Sequence, residues 1–286
     1  MKNKFELITV VLIAHKSKEI VLEFIDNLSK DIKILVIDNS NNLDLKSEID
    51  KKENVKIEFM NNNGYGAAIN YARTFILTRF FFVFSPDIKN VDDKLIKSFE
   101  EKANTIKSFG ALGPRFLNVK EKSHKQSKIS QEIGEINSIS GSAMCFDVSI
   151  FDDVGGFDEN IFLYFEETDY CLRAKKMGYK MYQINKVFVE HPKGANAGVV
   201  KTNNTNEVYK LEKLYTWHFI WSKFYFFTKH YGKFFSLIYF FPSLIRIIFR
   251  INLYMYKNDV IKKEKYQTRL NGLISSVRGM KSFKRL

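Results

Sequence analysis

Residues 7–40 read LITVVLIAHKSKEIVLEFIDNLSKDIKILVIDNS, and this stretch decides the fold class. Residues 7–15 form a continuous β-branched and aliphatic run, the pattern of a strand buried on both faces of a parallel sheet. Residues 18–28 then bring Ile20, Val21, Phe24, Ile25 and Leu28 to helical spacing. A second apolar run, residues 32–37, ends in Asp38, Asn39 and Ser40. The order is β-α-β. Open α/β sheets bind ligands beyond the carboxyl ends of their strands, so polar residues released there are candidates for contact.

Downstream the same alternation continues. A third strand, residues 55–60, leads into NNNGYGAAINYAR at 61–73, and residues 64–75 read as a loop turning into a helix. Gly64 and Gly66 permit close backbone approach, which suits a phosphate or ribose at a helix start. Ile69 stands where a dinucleotide fingerprint has its third glycine, so a plain tight turn fits as well. The next strand, residues 80–84, ends in Ser85, Pro86 and Asp87, again a turn or a site. Residues 94–109 read as a helix and 111–117 as a strand. The polar, Lys/Ser-rich stretch 118–135 reads as a loop that closes over a ligand. Residues 136–146, INSISGSAMCF, return to strand character, with Gly141 and Ser142 allowing close backbone approach. The strand at 180–189 ends in Glu190 and His191. A lone histidine is usually structural, but one at the sheet edge that carries Asp87 suits a metal.

Chemistry concentrates at 155–179, GGFDENIFLYFEETDYCLRAKKMGY. Residues 162–165 are too apolar for a solvated loop. Residues 167–177 space Cys171, Leu172, Ala174 and Met177 as a helix would, closing at Gly178. Glu166, Glu167 and Asp169 therefore sit in a first turn. They fit a helix cap; crowded in an apolar pocket, they also fit a general base, because repulsion and desolvation raise one carboxyl pKa.

The chain has 286 residues, 45% of them hydrophobic, enough for one sizeable core or a core with an appended unit. Cys145 and Cys171 are its two cysteines, which excludes a disulfide framework and a four-cysteine zinc site and fits a reducing compartment. The apolar run at 7–14 is far below spanning length. The net charge of +13 is uneven: from residue 206 onward there are 16 Lys and Arg against 4 Asp and Glu, while the rest holds 29 against 28. Residues 215–256 carry 17 aromatic residues interleaved with Lys and Arg. Their most apolar piece, residues 234–245, contains Pro242 and stops at Arg246, too short to span a bilayer. Two arrangements fit: amphipathic helices lying on an anionic membrane surface, or an ordinary helical subdomain. A nucleic-acid role is not expected, since the charge is confined to the tail and no binding motif occurs.

With VIDNSN, NNNGYGAAIN, FSPD, the 155–179 stretch and a later His-Pro in this order, residues 7–195 resemble the inverting GT-A glycosyltransferases of family 2. The resemblance is nearest to bacterial rhamnosyl- and galactofuranosyltransferases of surface-polysaccharide assembly. It implies a Rossmann-like, mostly parallel sheet flanked by helices over 1–205, with a basic, aromatic helical extension over 206–286. It implies donor contacts from Ala14, His15, Asp38, Asn63, Gly64, Asn70, Ser85 and Asp87, and a divalent cation, Mg2+ or Mn2+, on Asp87 and His191. Glu167 resembles the catalytic base, with Glu166 and Asp169 orienting it or the acceptor, and Gly141, Ser142 and Tyr164 lie on the acceptor side. The implied partners are a dTDP- or UDP-linked sugar, with dTDP-rhamnose first, and a saccharide or polyprenyl-linked saccharide at the inner face of the cell membrane. The implied location is cytoplasmic and peripheral on that membrane. One departure is clear: Ser85-Pro86-Asp87 lacks the first carboxylate of a full Asp-x-Asp.

Overall fold

A computed structural model of the chain describes residues 5–117, 126–128, 130–191 and 205–285. It divides into two compact units, the first Met1–Asp158 with Glu167–Val200, the second Glu159–Glu166 with Lys201–Leu286. In chain order the elements are β1 (Ile8–Ala14), α1 (Lys18–Asp26), β2 (Lys33–Asp38), α2 (Leu43–Ile49), β3 (Val55–Phe59) and α3 (Tyr65–Arg73). There follow β4 (Phe80–Phe84), α4 (Asp93–Thr105), β5 (Ala111–Phe116), β6 (Ile133–Ile136), β7 (Ala143–Asp147), α5 (Val148–Val154), α6 (Glu166–Lys176) and β8 (Met181–Val189). The last three are α7 (Thr205–Tyr231), α8 (Lys233–Tyr256) and α9 (Val260–Val277).

The sheet of the first unit has the order β3-β2-β1-β4-β7-β5-β8-β6. Strands β1 to β4 pair in parallel, β7 runs antiparallel between β4 and β5, and β6 runs antiparallel beside β8. The all-apolar runs follow from burial on both faces. In β1, Ile8, Val10 and Leu12 enter one core, while Val11 and Ile13 enter the other. In β4, Phe80, Phe82 and Phe84 face the first core, and Phe81 and Val83 the second. Each such side chain stabilises the fold by roughly 1.5–3 kcal/mol. Helix α1 covers the first face with Val21, Phe24 and Ile25. Helix α3 covers the second with Ile69 and with Ala68 and Ala72, whose small side chains let its backbone lie close to β1 and β2. The expected mostly parallel sheet flanked by helices is what forms.

Several boundaries differ from the sequence expectation. Residues 136–146 are not one strand: β6 ends at Ile136, and a turn at 137–142, closed by Ala143 N to Ser140 O at 3.2 Å, leads into β7. Polar Ser138, Ser140 and Ser142 break the apolar run there, as serines do in turns. Helix α4 stops at Thr105 rather than 109. The short helices α2 and α5 were not expected; each has a side-chain cap, Asn42 and Asp147. The loop expected over 118–135 falls in part, at 118–125 and 129, outside the described residues. Around those positions, Ser127 N donates to Gln183 Oε1 at 2.8 Å and Gln126 Nε2 to the Phe116 carbonyl at 2.9 Å.

In the second unit Trp217, Trp221 and Phe224 of α7 are buried, and Phe224 meets Phe240, Ile247 and Leu273 in a small core. Helices α7 and α9 approach closely at Gly272, where an added Cβ would lie 2.7 Å from the Trp217 carbonyl. Helix α8 corrects the short-segment expectation. It continues through Pro242 and past Arg246 for 24 residues, long and apolar enough by length and composition to cross a membrane. The stretch before α6 also packs here. The Phe162 ring lies 4.7 Å from His218, Ser222 Oγ donates to the Leu163 carbonyl at 2.8 Å, and Phe165 meets Phe219 and Phe226.

Candidate active site

The carboxyl ends of β1, β2 and β3 are tied together by side chains. Ala14 pairs with Asp38, and Asn39 N donates to the Ala14 carbonyl at 3.0 Å. His15 Nδ1 is 2.7 Å from Asn39 Oδ1, and Asn39 reaches Asn62 Oδ1 at 3.5 Å, the outer limit of a hydrogen bond. Asp38 is fully buried. One of its oxygens accepts from Ser40 N and Ser40 Oγ at 3.0 and 2.6 Å, the other from Asn42 N at 2.6 Å. Its carboxylate thus holds the shape of the loop after β2. Asn39 and Ser40 are the polar residues released after β2, whereas Asn62, inside the NNNGYGAAIN motif, was not among the expected site residues.

Beside these loops α3 begins. Gly64 caps it at φ 112° and ψ 167°, a backbone region reserved for glycine, and no side chain caps the first turn. The helix start is the kind of end that receives phosphate oxygens. Asn63 is exposed at the approach to it. Asn70, expected as a donor contact, has a structural task in the fold. Its Nδ2 donates to the Phe157 carbonyl at 2.9 Å, and Phe157 N donates to its Oδ1 at 2.8 Å, so both ends of the amide fasten α3 to the turn at 155–158.

From α3 the contacts run to the acids. Tyr65, which the sequence reading passed over, donates its hydroxyl to the Gly141 carbonyl at 2.7 Å. A Cβ on Gly141 would meet the Glu167 carboxyl carbon at 3.8 Å, so Glu167 lies along the turn at 137–142. The neighbouring Ser142 accepts from Ser85 N at 2.9 Å through its carbonyl. Ser85 opens the turn that carries Asp87, closed by Ile88 N to Ser85 O at 3.1 Å. Two backbone hydrogen bonds, 2.8 and 3.2 Å, join Lys89 to Glu190, and His191 follows directly. Backbone hydrogen bonds thus tie Ser142 to Ser85 and Lys89 to Glu190, which sets Asp87 and His191 beside these pairs, while the Glu167 side chain lies near Gly141.

Among the described residues no group of three His, Cys, Asp or Glu side chains is placed to hold a metal. Asp87 is half-buried, and its carboxylate has no hydrogen-bond or ion-pair partner among the described residues. One open carboxylate beside the segment ending in His191 suits a hard cation that takes its other ligands from phosphates and water.

The three acids of 166–169 separate sharply. Asp169 is fully buried, and its Oδ2 accepts from Arg173 Nε at 2.8 Å. Arg173 in turn donates to the carbonyls of Val154 and Gly156 at 2.6 and 2.5 Å. Asp169 thus anchors, through Arg173, the turn at 154–156, where Gly155 and Gly156 have φ of 83° and 63°. Glu166 is buried, while Glu167 is half-buried. Directly before them Tyr164 and Phe165 have φ of 66° and 70°, two successive non-glycine residues in the left-handed region. Such positions cost about 1–3 kcal/mol each and cluster where function needs a fixed geometry. Burial pushes the Tyr164 phenol well above its ordinary value, with Tyr215 and Glu166 adding to the rise.

No protein-family model matches the chain. It is 21% identical over 206 residues to the low-salt glycan biosynthesis hexosyltransferase Agl10 of Haloferax volcanii, covering 64% of this chain and 66% of that relative, just under two thirds of its length. Its structure is similar to the mannosyltransferase PcManGT from Pyrobaculum calidifontis, solved with GDP-Man and Mn2+: TM-score 0.56, 12% identity, 94% of this chain and 86% of that one. It is also similar to S. aureus TarS 1-349 in complex with UDP-GlcNAc, at TM-score 0.53 and 13% identity over 96% of this chain and 92% of that one. The chain has the GT-A glycosyltransferase fold.

Proposed function

We propose that the chain is an inverting glycosyltransferase of the family 2 type. It moves a hexose from a nucleotide-sugar donor to a hydroxyl of a saccharide or polyprenyl-linked saccharide in surface-glycan assembly. One observation carries the reading. Glu167 lies against Gly141, and the next carbonyl, that of Ser142, holds the turn bearing Asp87. A base and a candidate cation ligand are thereby joined across one short turn.

The chemistry follows from charge. The donor lies along the loops after β1, β2 and β3, with its phosphates at the start of α3. The Glu167 carboxylate takes the acceptor hydroxyl's proton as that oxygen bonds to the anomeric carbon. The bond from this carbon to the diphosphate oxygen breaks, and its electron pair leaves with the nucleoside diphosphate. A single displacement inverts the carbon. A divalent cation, Mg2+ or Mn2+, held by Asp87 and His191, would neutralise charge on the diphosphate. Asn70, Asp169 and Arg173 keep the surrounding turns in place. For the sugar, rhamnose from dTDP-rhamnose is the first reading, resting on Ser85-Pro86-Asp87. UDP-linked hexoses, galactofuranose included, are the second, favoured by the UDP-GlcNAc complex of the similar TarS structure. The basic second unit is read as facing an anionic inner-membrane surface, where a polyprenyl-linked acceptor is presented.

A thermal-shift panel of nucleotide sugars with and without Mn2+ tests the reading. The true donor should raise the melting temperature, and more so with the cation. Asp87→Ala should weaken cation-dependent donor binding about tenfold or more. No shift with any nucleotide sugar would overturn the proposal.

A further inference from the structure

Helix α8 has two apolar faces. One is packed: Ser236, Phe240, Leu244, Ile247 and Ile251 form a helical stripe against Phe224 of α7 and Tyr266, Leu270 and Leu273 of α9. The other is bare. Phe234, Ile238, Phe241, Ile245, Phe249 and Tyr256 recur at steps of three, four or seven and are between 54% and 87% exposed. This second stripe runs the length of a helix about 36 Å long, and a continuous exposed apolar face of that size marks an interaction surface.

Charge identifies the occupant. From residue 213 to 258 the chain carries seven Lys and Arg and no Asp or Glu. Helix α8 itself carries Lys233, Arg246 and Arg250 and no acid, so a second copy packed along it would set like charges against like. A bilayer containing anionic lipid offers the complement, apolar below and negative at its surface. We propose that α8 lies flat in such a bilayer, its bare stripe sunk to the boundary of headgroups and acyl chains. Helix α8 does not cross the membrane, despite having the length and hydropathy for it. Its other face is fastened to α9, whose Lys262, Lys263, Glu264, Lys265 and Arg269 would be drawn into hydrocarbon with it. Arg246 and Arg250 sit near the middle of α8, the worst place for charge in a spanning helix and a good one for a helix at the surface, where long side chains reach the headgroups. This inference deepens the membrane-facing reading of the second unit and is independent of glycosyl transfer.

Both native cysteines are buried, so single cysteines introduced on α8 can be labelled selectively. The test uses the full chain with an environment-sensitive fluorophore on Phe234→Cys, Phe241→Cys or Phe249→Cys. Vesicles are phosphatidylcholine alone or with phosphatidylglycerol, and contain quencher lipids at graded depth. All three probes should respond to the anionic vesicles and report one shallow depth. The double variant Phe241→Asp/Ile245→Asp should lose vesicle binding about tenfold or more, with donor binding unchanged. Depths that progress from one leaflet to the other would overturn the proposal in favour of a span. Probes shielded without vesicles, together with a doubled mass in solution, would overturn it in favour of a second copy. Binding unaffected by the two aspartates would overturn it outright. Nucleotide-sugar binding is read separately, so failure of the membrane inference leaves the glycosyltransferase reading to its own test.

Discussion

Glu167 and Asp169 stand two residues apart, with the same chemistry in the sequence and opposite surroundings in the fold. Glu167 is half-buried beside Gly141, and Asp169 is sealed beneath Arg173. Glu167→Gln keeps shape and removes only the base, so turnover should fall about 10²- to 10⁴-fold. Donor affinity should hold, and stability should move by less than about 0.5 kcal/mol. Asp169→Asn leaves the Arg173 charge without its carboxylate. Because Arg173 keeps some solvent access, the cost should lie at the low end of the roughly 3–5 kcal/mol typical of broken buried pairs. Urea unfolding beside steady-state kinetics separates the two. A stable but inactive Asp169→Asn would return that residue to the chemistry. The sequence marked all three acids alike because the spacing of 169 and 173 gives a helical pair, while the carbonyls of Val154 and Gly156 that Arg173 reaches come from a turn no local pattern announces. The structural bonds of Asn70 are equally silent in the sequence, since their partner is the backbone of Phe157, 87 residues away.

At the scale of elements, strands buried on both faces were legible because continuous apolar runs have few other uses in a chain of this kind, and β1 and β4 fall close to where their runs do. Short helices and turns were not. Helix α2 is seven residues, four of them charged or polar, and depends on Asn42 and on packing rather than on periodicity. In the sequence of α8, Pro242 and Arg246 look like breaks; in the fold they lie within one continuous helix. The start of α3 was legible from its glycines, and it makes a sharp prediction. At φ 112° an alanine in place of Gly64 is strained by about 1–3 kcal/mol. The strain is relieved by turning the backbone, which re-aims the first amides of α3. Calorimetric titration with nucleoside diphosphate should show affinity for Gly64→Ala lowered about tenfold. Unchanged affinity in a folded variant would mean the phosphates do not sit at this helix end.

Across the whole molecule, one buried histidine ties the stability of the second unit to acid. His218 is fully buried, with Nε2 2.8 Å from the Lys284 carbonyl and Nδ1 3.1 Å from Ser282 Oγ. The carbonyl only accepts, so Nε2 carries a proton. Burial lowers its pKa from 6.5 to about 4; the hydrogen bond to the Lys284 carbonyl opposes this, and the positive charges of Arg285 and Lys284 add to it. The unfolded chain therefore takes up a proton near pH 6.5 that the folded chain refuses until about pH 4. Stability is full above pH 6.5 and is lost progressively as pH falls to about 4, by roughly 3 kcal/mol in all. The Phe162 ring rests on this imidazole, and the chain runs from Phe162 through the left-handed turn at Tyr164 and Phe165 into Glu167. Acid should thus loosen the second unit and activity together. Denaturant titrations at a series of pH values from 7.5 to 4 should show His218→Phe less stable at the start, for want of its two hydrogen bonds. Its stability should then decline less with acid, so that the two curves converge. Parallel curves would mean that His218 is protonated in the folded chain as readily as in the unfolded one.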